Sequence, residues 1–269
     1  MATVSPMMQQ YHEAMAAAVD ALLLFRMGDF YELFFDDAKA AARVLGLALT
    51  SRDKGENPVP MAGFPYHQLD GYLAKIIAAG HRAAICEQVE DPKKAKGLVK
   101  REVTRIVTPG TLTDDALLDP TASNYLAAVS LSSSRTAYEC GVAWIDVSTG
   151  RFYAATVAAE QLPDQLARIR PTELLVSDDA AMLTADWTAG TAVTRRPAWT
   201  FGHTAAVEAL AKHFGTRSLD GFGFDAQAEA RDAPALRAAG GILEYLAETQ
   251  KASPAHTDRP RPIPSTARH

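Results

Sequence analysis

The sequence predicts an α/β protein made of two successive mixed-sheet domains, and three observations carry that expectation. The chain has 269 residues, long for one compact core and suited to two domains of about 100–150 residues each. Apolar runs of strand length alternate with segments of helical spacing along almost the whole chain. Between the two halves, Thr111 to Asn124 holds Asp114, Asp115, Asp119, Pro120 and Ser123 with few large apolar residues, as a linker does. The domain boundary is therefore expected at 113–124, with one domain over 1–112 and another over 125–250.

In the first domain, Ser5-Pro6 followed by Met7, Met8, Tyr11 and Met15 predicts an N-capped helix, with proline at its first position. Leu22 to Met27 is a continuous apolar run suited to a buried strand. Gly28-Asp29 interrupts it as a turn, and Phe30 to Phe34 resumes extended structure. From Asp36, the spacing of Ala38, Ala41, Ala42 and Leu45 is helical, with Gly46 as its C-terminal cap before a strand near Leu47–Ser51. Pro58 to Pro65 carries three prolines and is expected to be an edge strand at best. Leu69, Tyr72, Leu73, Ile76 and Ile77 mark an amphipathic helix closed by Gly80. Arg82 to Val89 and Glu102 to Thr108 complete the domain as strands.

The second domain opens with three expected strands, Tyr125 to Leu131, Ala137 to Val147 and Arg151 to Val157, joined by Ser-, Thr- and Gly-rich turns into an antiparallel meander. A helix over Gln161 to Arg170, a strand over Glu173 to Ser177, a helix over Thr204 to Phe214 and a final helix from Pro234 follow. A meander succeeded by helix–strand alternation is the order of an RNase-H-like fold. After Gln250 the residues turn proline- and arginine-rich with one large apolar side chain, Ile263, and are expected to be a disordered tail over 251–269.

Composition narrows function. The chain is 48% hydrophobic and 22% charged, ordinary for a soluble globular protein. Its opening residues lack a basic segment leading into an apolar one, and no apolar run nears the ~20 residues of a membrane-spanning helix, so a cytoplasmic protein without membrane contact is expected. Cys86 and Cys140 lie far apart in apolar strands and suit small buried side chains better than a disulfide or metal site. The net charge of -5 argues against coating nucleic acid by bulk attraction. Locally, however, residues 93–105 hold Lys93, Lys94, Lys96, Lys100, Arg101 and Arg105 against Glu102 alone. That segment is either a solvated loop and strand or a phosphate-facing surface.

The segment richest in chemistry is Gly28-Asp29-Phe30-Tyr31-Glu32, two aromatics and a carboxylate directly after a tight turn. Proteins that enter the minor groove insert apolar side chains between base steps, unstacking them at a cost of roughly a few kcal/mol. A mispaired step is already loosened, so an exposed Phe30 would enter it more readily than paired DNA. Glu32, two residues on, points to the same side of an extended chain. The alternative is that Phe30 and Phe34 are core residues of one strand face and Glu32 merely faces solvent.

Leu24 to Phe34 closely resembles the mismatch-reading segment of MutS-type DNA mismatch-repair proteins. The likeness continues through Pro60 to His67, Ala84 to Gln88 and Arg105 to Thr111. In the second half, Asp146 to Phe152, Pro171 to Leu175, Phe214 to Arg217 and Gly221 to Gly223 resemble the connector domain of that family. The resemblance implies a mismatch-recognition domain followed by a connector domain, with Phe30 as the intercalating aromatic and Glu32 as its carboxylate partner. The implied ligand is double-stranded DNA with mismatches or small loops. Arg52 and Lys54 in the polar loop and Arg101 in the basic segment are candidate phosphate contacts, with surface solvation as the alternative. Tyr66 either packs against the reading tip or fills the core, and the core is the favoured expectation.

No Gly-x-x-x-x-Gly-Lys-Ser/Thr loop occurs in the sequence, and the clamp and lever regions have no counterpart, so the ATPase, with its ATP, magnesium and dimerisation, belongs to complete family members. This chain is expected not to be an enzyme. Two other functions stay open: a module that docks a MutL-type repair factor through the connector while binding DNA little by itself, and an RNase-H-like metal-dependent nuclease using Asp146.

Overall fold

The computed structural model describes residues 5–18, 20–51, 58–90, 97–113, 123–131, 139–180, 190–225 and 231–250. The expected linker, except for its ends, and the expected tail lie outside the described residues. By internal contacts the chain forms two units, divided after Thr108. Each is an α/β assembly around a mixed sheet.

The first unit contains α1 (Pro6–Ala17), β1 (Leu22–Met27), β2 (Phe30–Phe34), α2 (Phe35–Leu45), β3 (Thr50–Ser51), β4 (Pro60–Pro65), α3 (Leu69–Ala78), β5 (Ala83–Gln88) and β6 (Arg101–Val107). Its six strands run in the order β3-β4-β2-β1-β5-β6. Only β1 and β5 pair in parallel; the other pairs are antiparallel. Side chains alternate between the sheet's faces with period two, so Leu23 and Phe25 of β1 share one face with Phe30, Glu32 and Phe34 of β2. There α1 packs: Met7, Tyr11 and Ala14 join Leu23, Phe25, Phe34 and Cys86 in one buried cluster. Tyr11 meets Phe25 and Phe34 edge-on at 5.5 and 5.1 Å. The opposite face carries Tyr31 and Phe64, and α3 covers it by stacking Tyr72 on Phe64 at 4.3 Å.

Ser5 caps α1 with its hydroxyl, accepting from the Met8 amide, as the Ser-Pro start predicts. Strand β2 passes into α2 without a loop. Phe35 takes up the turn at φ 55°, a costly conformation for an aromatic residue, and stacks on His12 at 6.0 Å. Two expectations need correction here. β4 is not an edge strand: it lies between β2 and β3, because its prolines occupy the first and last positions of the strand. The strand expected over Leu47–Ser51 shrinks to Thr50–Ser51.

The second unit contains β7 (Tyr125–Leu131), β8 (Glu139–Asp146), β9 (Arg151–Ala158), α4 (Leu162–Ile169), β10 (Glu173–Ser177), β11 (Ala192–Arg196), α5 (His203–Phe214) and α6 (Ala233–Thr249). The sheet order is β11-β10-β7-β8-β9, with β7-β8-β9 antiparallel and β10 and β11 parallel to β7. This is the RNase-H-like arrangement that the meander predicts. β11 is an addition to that reading, since its Ala-Val-Thr-Arg-Arg sequence carries little apolar signal.

Both faces of this sheet are covered. Ala127, Val129, Val142, Leu174 and Val176 pack with Leu162, Leu166 and Ile169 of α4. Leu126, Ala128, Ala143, Ile145 and Leu175 face α5 and α6. Helix α6 approaches so closely that a Cβ at Gly141 would lie 1.8 Å from the Pro234 carbonyl oxygen, and Ser130 donates to that carbonyl at 2.7 Å. Cys86 and Cys140 are free and buried; burial pushes the Cys86 thiol up to about 12. No helix among the described residues is long and apolar enough to cross a membrane.

One buried carboxylate organises the second unit. Glu173, fully buried at the start of β10, accepts from the Gly110 amide at 3.0 Å and from the Thr194 and Tyr245 hydroxyls at 2.7 Å each. Those donors come from the Pro109–Thr111 turn, β11 and α6. Removing the acceptor strands all three, at about 1–3 kcal/mol for each buried unsatisfied group. Glu173→Ala is therefore expected to destabilise this unit by about 3 kcal/mol or more, and Glu173→Gln by less. Urea unfolding followed by tryptophan fluorescence measures this selectively, because Trp144, Trp187 and Trp199 all lie in this half of the chain.

Candidate nucleic-acid interface

The β1–β2 hairpin builds the candidate site. Met27 pairs with Phe30 across a two-residue turn, Gly28-Asp29, and Gly28 has φ 59°. A positive φ at the first central position alone is the pattern of a type II′ hairpin turn, whose twist matches the flanking strands. The turn leaves Phe30 as the outermost residue of β2, with 46% of its surface exposed. Its neighbours Tyr31, Leu33 and Phe34 are buried. The reading in which Phe30 is a core residue is thereby excluded, whereas Phe34 is one.

Glu32 is half-buried on the same face as Phe30, opposite Phe25 of β1 and Gly63 of β4. Gly63 makes room at this point: a Cβ there would lie 2.8 Å from the Tyr31 carbonyl oxygen and 3.4 Å from Glu32 Cγ.

Beneath the tip, on the other face, lies a network absent from the sequence reading. Arg26 donates from Nε to the Gly28 carbonyl at 2.5 Å, and its Nη1 lies 3.7 Å from Glu87 Oε2. Its guanidinium lies 3.7 Å from the centre of the Tyr66 ring and 5.6 Å from that of Tyr31. The Tyr31 hydroxyl donates to Glu87. Burial, then the neighbouring Glu87, raise the Tyr31 pKa, so its phenol remains a donor. The sequence carries a usable signal: Arg26 is the next-to-last residue of one apolar strand and Glu87 of another, and charges in such places need partners. Tyr66 corrects the core expectation. It is 43% exposed, and its amide donates to the Asp29 carbonyl at 2.9 Å, so it belongs to the tip.

The family model for MutS domain I matches residues 5–116, and that for MutS domain II matches residues 124–258. The chain belongs to the MutS family. It is 52% identical over 270 residues to the DNA mismatch repair protein MutS of Rhodopirellula baltica, covering 94% of this chain and 30% of that protein. It is 44% identical to the protein of the same name from Myxococcus xanthus, covering 96% and 29%, and 45% identical to that from Solibacter usitatus, covering 95% and 29%. The chain thus spans less than a third of the length of these MutS relatives.

Among the remaining residues expected at the MutS interface, Arg52 and Lys54 lie outside the described residues. β3, which precedes them, ends opposite Pro60, at the end of β4 away from the tip. Arg101 is directed inward: Nε donates to the Arg26 carbonyl at 2.7 Å, and Nη1 donates to the Val99 carbonyl at 2.8 Å and to Gln10 Oε1 at 3.4 Å. Its guanidinium also lies 5.4 Å from the Phe25 ring centre. β5, which precedes the basic segment, ends at the tip end, because it runs parallel to β1.

In the second unit Asp146 ends β8 as expected. Its Oδ1 accepts from the Ser148 amide at 3.1 Å, the Ser148 hydroxyl at 2.7 Å and the Thr149 amide at 3.3 Å, closing the β8–β9 turn. Among the described residues no group of three or more His, Cys, Asp or Glu is placed to hold a metal ion.

The close approach at Gly63 yields a test. Gly63→Ala sets a methyl against backbone rather than a flexible side chain, so β2 and β4 must separate locally. The expected cost is about 1–3 kcal/mol. Thermal melting followed by circular dichroism measures it, and a variant as stable as the parent would show that the sheet yields there without cost.

Proposed function

We propose that this chain binds duplex DNA at mispaired or unpaired positions, inserting Phe30 from the minor-groove side while Glu32 contacts the displaced base. The exposure of Phe30 at a closed hairpin tip carries the reading. A ring presented in this way buries its apolar surface only by entering another molecule, and a base step with failed pairing opens at the lowest cost. Glu32 reaches the same step because it shares the ring's face. Its carboxylate accepts from a base N–H that mispairing has exposed, or donates when protonated, and next to phosphates it disfavours entry into paired DNA.

Support also comes from the names of the MutS relatives, all DNA mismatch repair proteins. The sequence holds no phosphate-binding loop, and the proposal involves no nucleotide-dependent step. With a net charge of -5 and one basic segment, the chain is expected to bind weakly and to lose affinity as salt rises. Titration of matched and mismatched duplexes tests both points. Phe30→Ala is expected to lose about 1–3 kcal/mol of binding to the mismatched duplex, with residual nonspecific binding retained. Undiminished mismatch preference in that variant, or tight binding by the parent that persists at high salt, would contradict the proposal.

A second reading assigns the second unit to docking a MutL-type repair factor. Trp199, 69% exposed just after β11, favours it, as does the 41% exposure of Val193 on that strand. Exposed tryptophans are frequent anchors of interfaces. Trp199→Ala is expected to weaken association with the purified repair factor at least tenfold by surface plasmon resonance. Unchanged affinity would remove Trp199 from that role.

A further inference from the structure

Tyr66 stands at the same tip as Phe30. Phe30 pairs with Pro65, so Tyr66 follows directly on the adjacent strand, its amide bonded to the Asp29 carbonyl. Neighbouring strands lie about 4.8 Å apart, so the backbones that carry the two aromatics reach the same end of the sheet side by side. Pro65 and Phe30 share one face of the sheet, and Tyr66 emerges beside Arg26 on the other. The ring is held firmly: the Arg26 guanidinium covers one side at 3.7 Å, and His67 meets it edge-on at 5.9 Å. Arg26 is anchored in turn by the Gly28 carbonyl and Glu87. Yet the Tyr66 ring is 43% exposed, and its hydroxyl has no hydrogen-bond partner among the described residues. A phenol oriented by a cation and left with a vacant donor suits contact with a polyanion.

We propose that Tyr66 is a second DNA-contacting residue, its hydroxyl donating to a phosphate or sugar oxygen beside the step that Phe30 enters, with Arg26 as the positioning residue that fixes its ring. This rests on the Phe30 reading. The Tyr66 contact forms only when the tip is seated in the groove, so it strengthens binding to unpaired sites over paired DNA. Arg26 acts through Tyr66 and the Gly28 carbonyl and need not touch the duplex.

The test titrates the 269-residue chain with a duplex carrying one unpaired thymine and with its fully paired counterpart, for the parent, Tyr66→Phe, Tyr66→Leu and Phe30→Ala. Tyr66→Phe keeps the stack and loses only the hydroxyl; it should bind the unpaired-thymine duplex about threefold more weakly, and Tyr66→Leu about tenfold. Paired-duplex binding and melting temperature should stay close to those of the parent. Combined with Phe30→Ala, Tyr66→Phe should cause no further loss. In the parent labelled with fluorotyrosine, the Tyr66 resonance, assigned by its absence in Tyr66→Phe, should shift on adding the unpaired-thymine duplex. If Phe30→Ala loses its preference while both Tyr66 variants bind as the parent does, or if the labelled resonance stays still, the Tyr66 proposal is overturned and the wedge survives. Equal weakening on both duplexes with a lowered melting temperature would make Tyr66 merely structural. Full preference retained by Phe30→Ala would overturn the wedge and this inference together.

Discussion

The register of the β1–β2 hairpin is the constraint on which the proposed interface depends. Side chains alternate with a period of two, so a slip of one residue would exchange every side chain between the faces of the sheet. The two-residue turn prevents this by pairing Met27 with Phe30, and the Arg26 bond to the Gly28 carbonyl braces it from within the strand. From that register follow the outward ring of Phe30, the inward phenol of Tyr31 and the alignment of Glu32 with Phe25 and Gly63. Burial of Phe25 and Phe34 under α1 secures it energetically, since slippage would expose both.

Charge around the tip is compatible with the proposed approach to phosphates. Glu87 lies close by, but Arg26 and the Tyr31 hydroxyl both engage it. Glu32 shares the face of Phe30. In the proposed function, attraction falls to the basic segment between β5 and β6. Within that segment not every cation is available: Lys100 pairs with Glu102 at 2.5 Å, and Arg101 is turned toward the end of β1. Arg101 thereby links β6 to the turn end of β1, an architectural part for a residue whose sequence context suggests a phosphate contact.

Much of this could be read from the amino acids because it is local. Gly28-Asp29 signals its own turn, the run from Leu22 to Phe25 its own burial, and the spacing from Leu69 to Ile77 its own helix. The shared side of Phe30 and Glu32 follows from alternation alone. What escaped depends on partners distant in the chain. Arg101 bonds to a carbonyl 75 residues away, and Tyr66 is drawn to the tip by Asp29 and Arg26. β4 gains an inner position only through the two residues of β3. β11 carries so few apolar side chains that only its pairing with β10 reveals it, and the buried Glu173 is explained only by donors from three separated segments.

The two-residue length of β3 has a consequence for how the protein behaves at high concentration. A sheet flanked by long, flat, uncharged strands invites a second molecule to extend its ladder. In the sheet of the first unit one margin is the two-residue β3, and the other, β6, begins with Arg101 and Glu102 and carries Arg105. That sheet therefore keeps an aromatic ring in water at a strand's tip between margins that are short or charged.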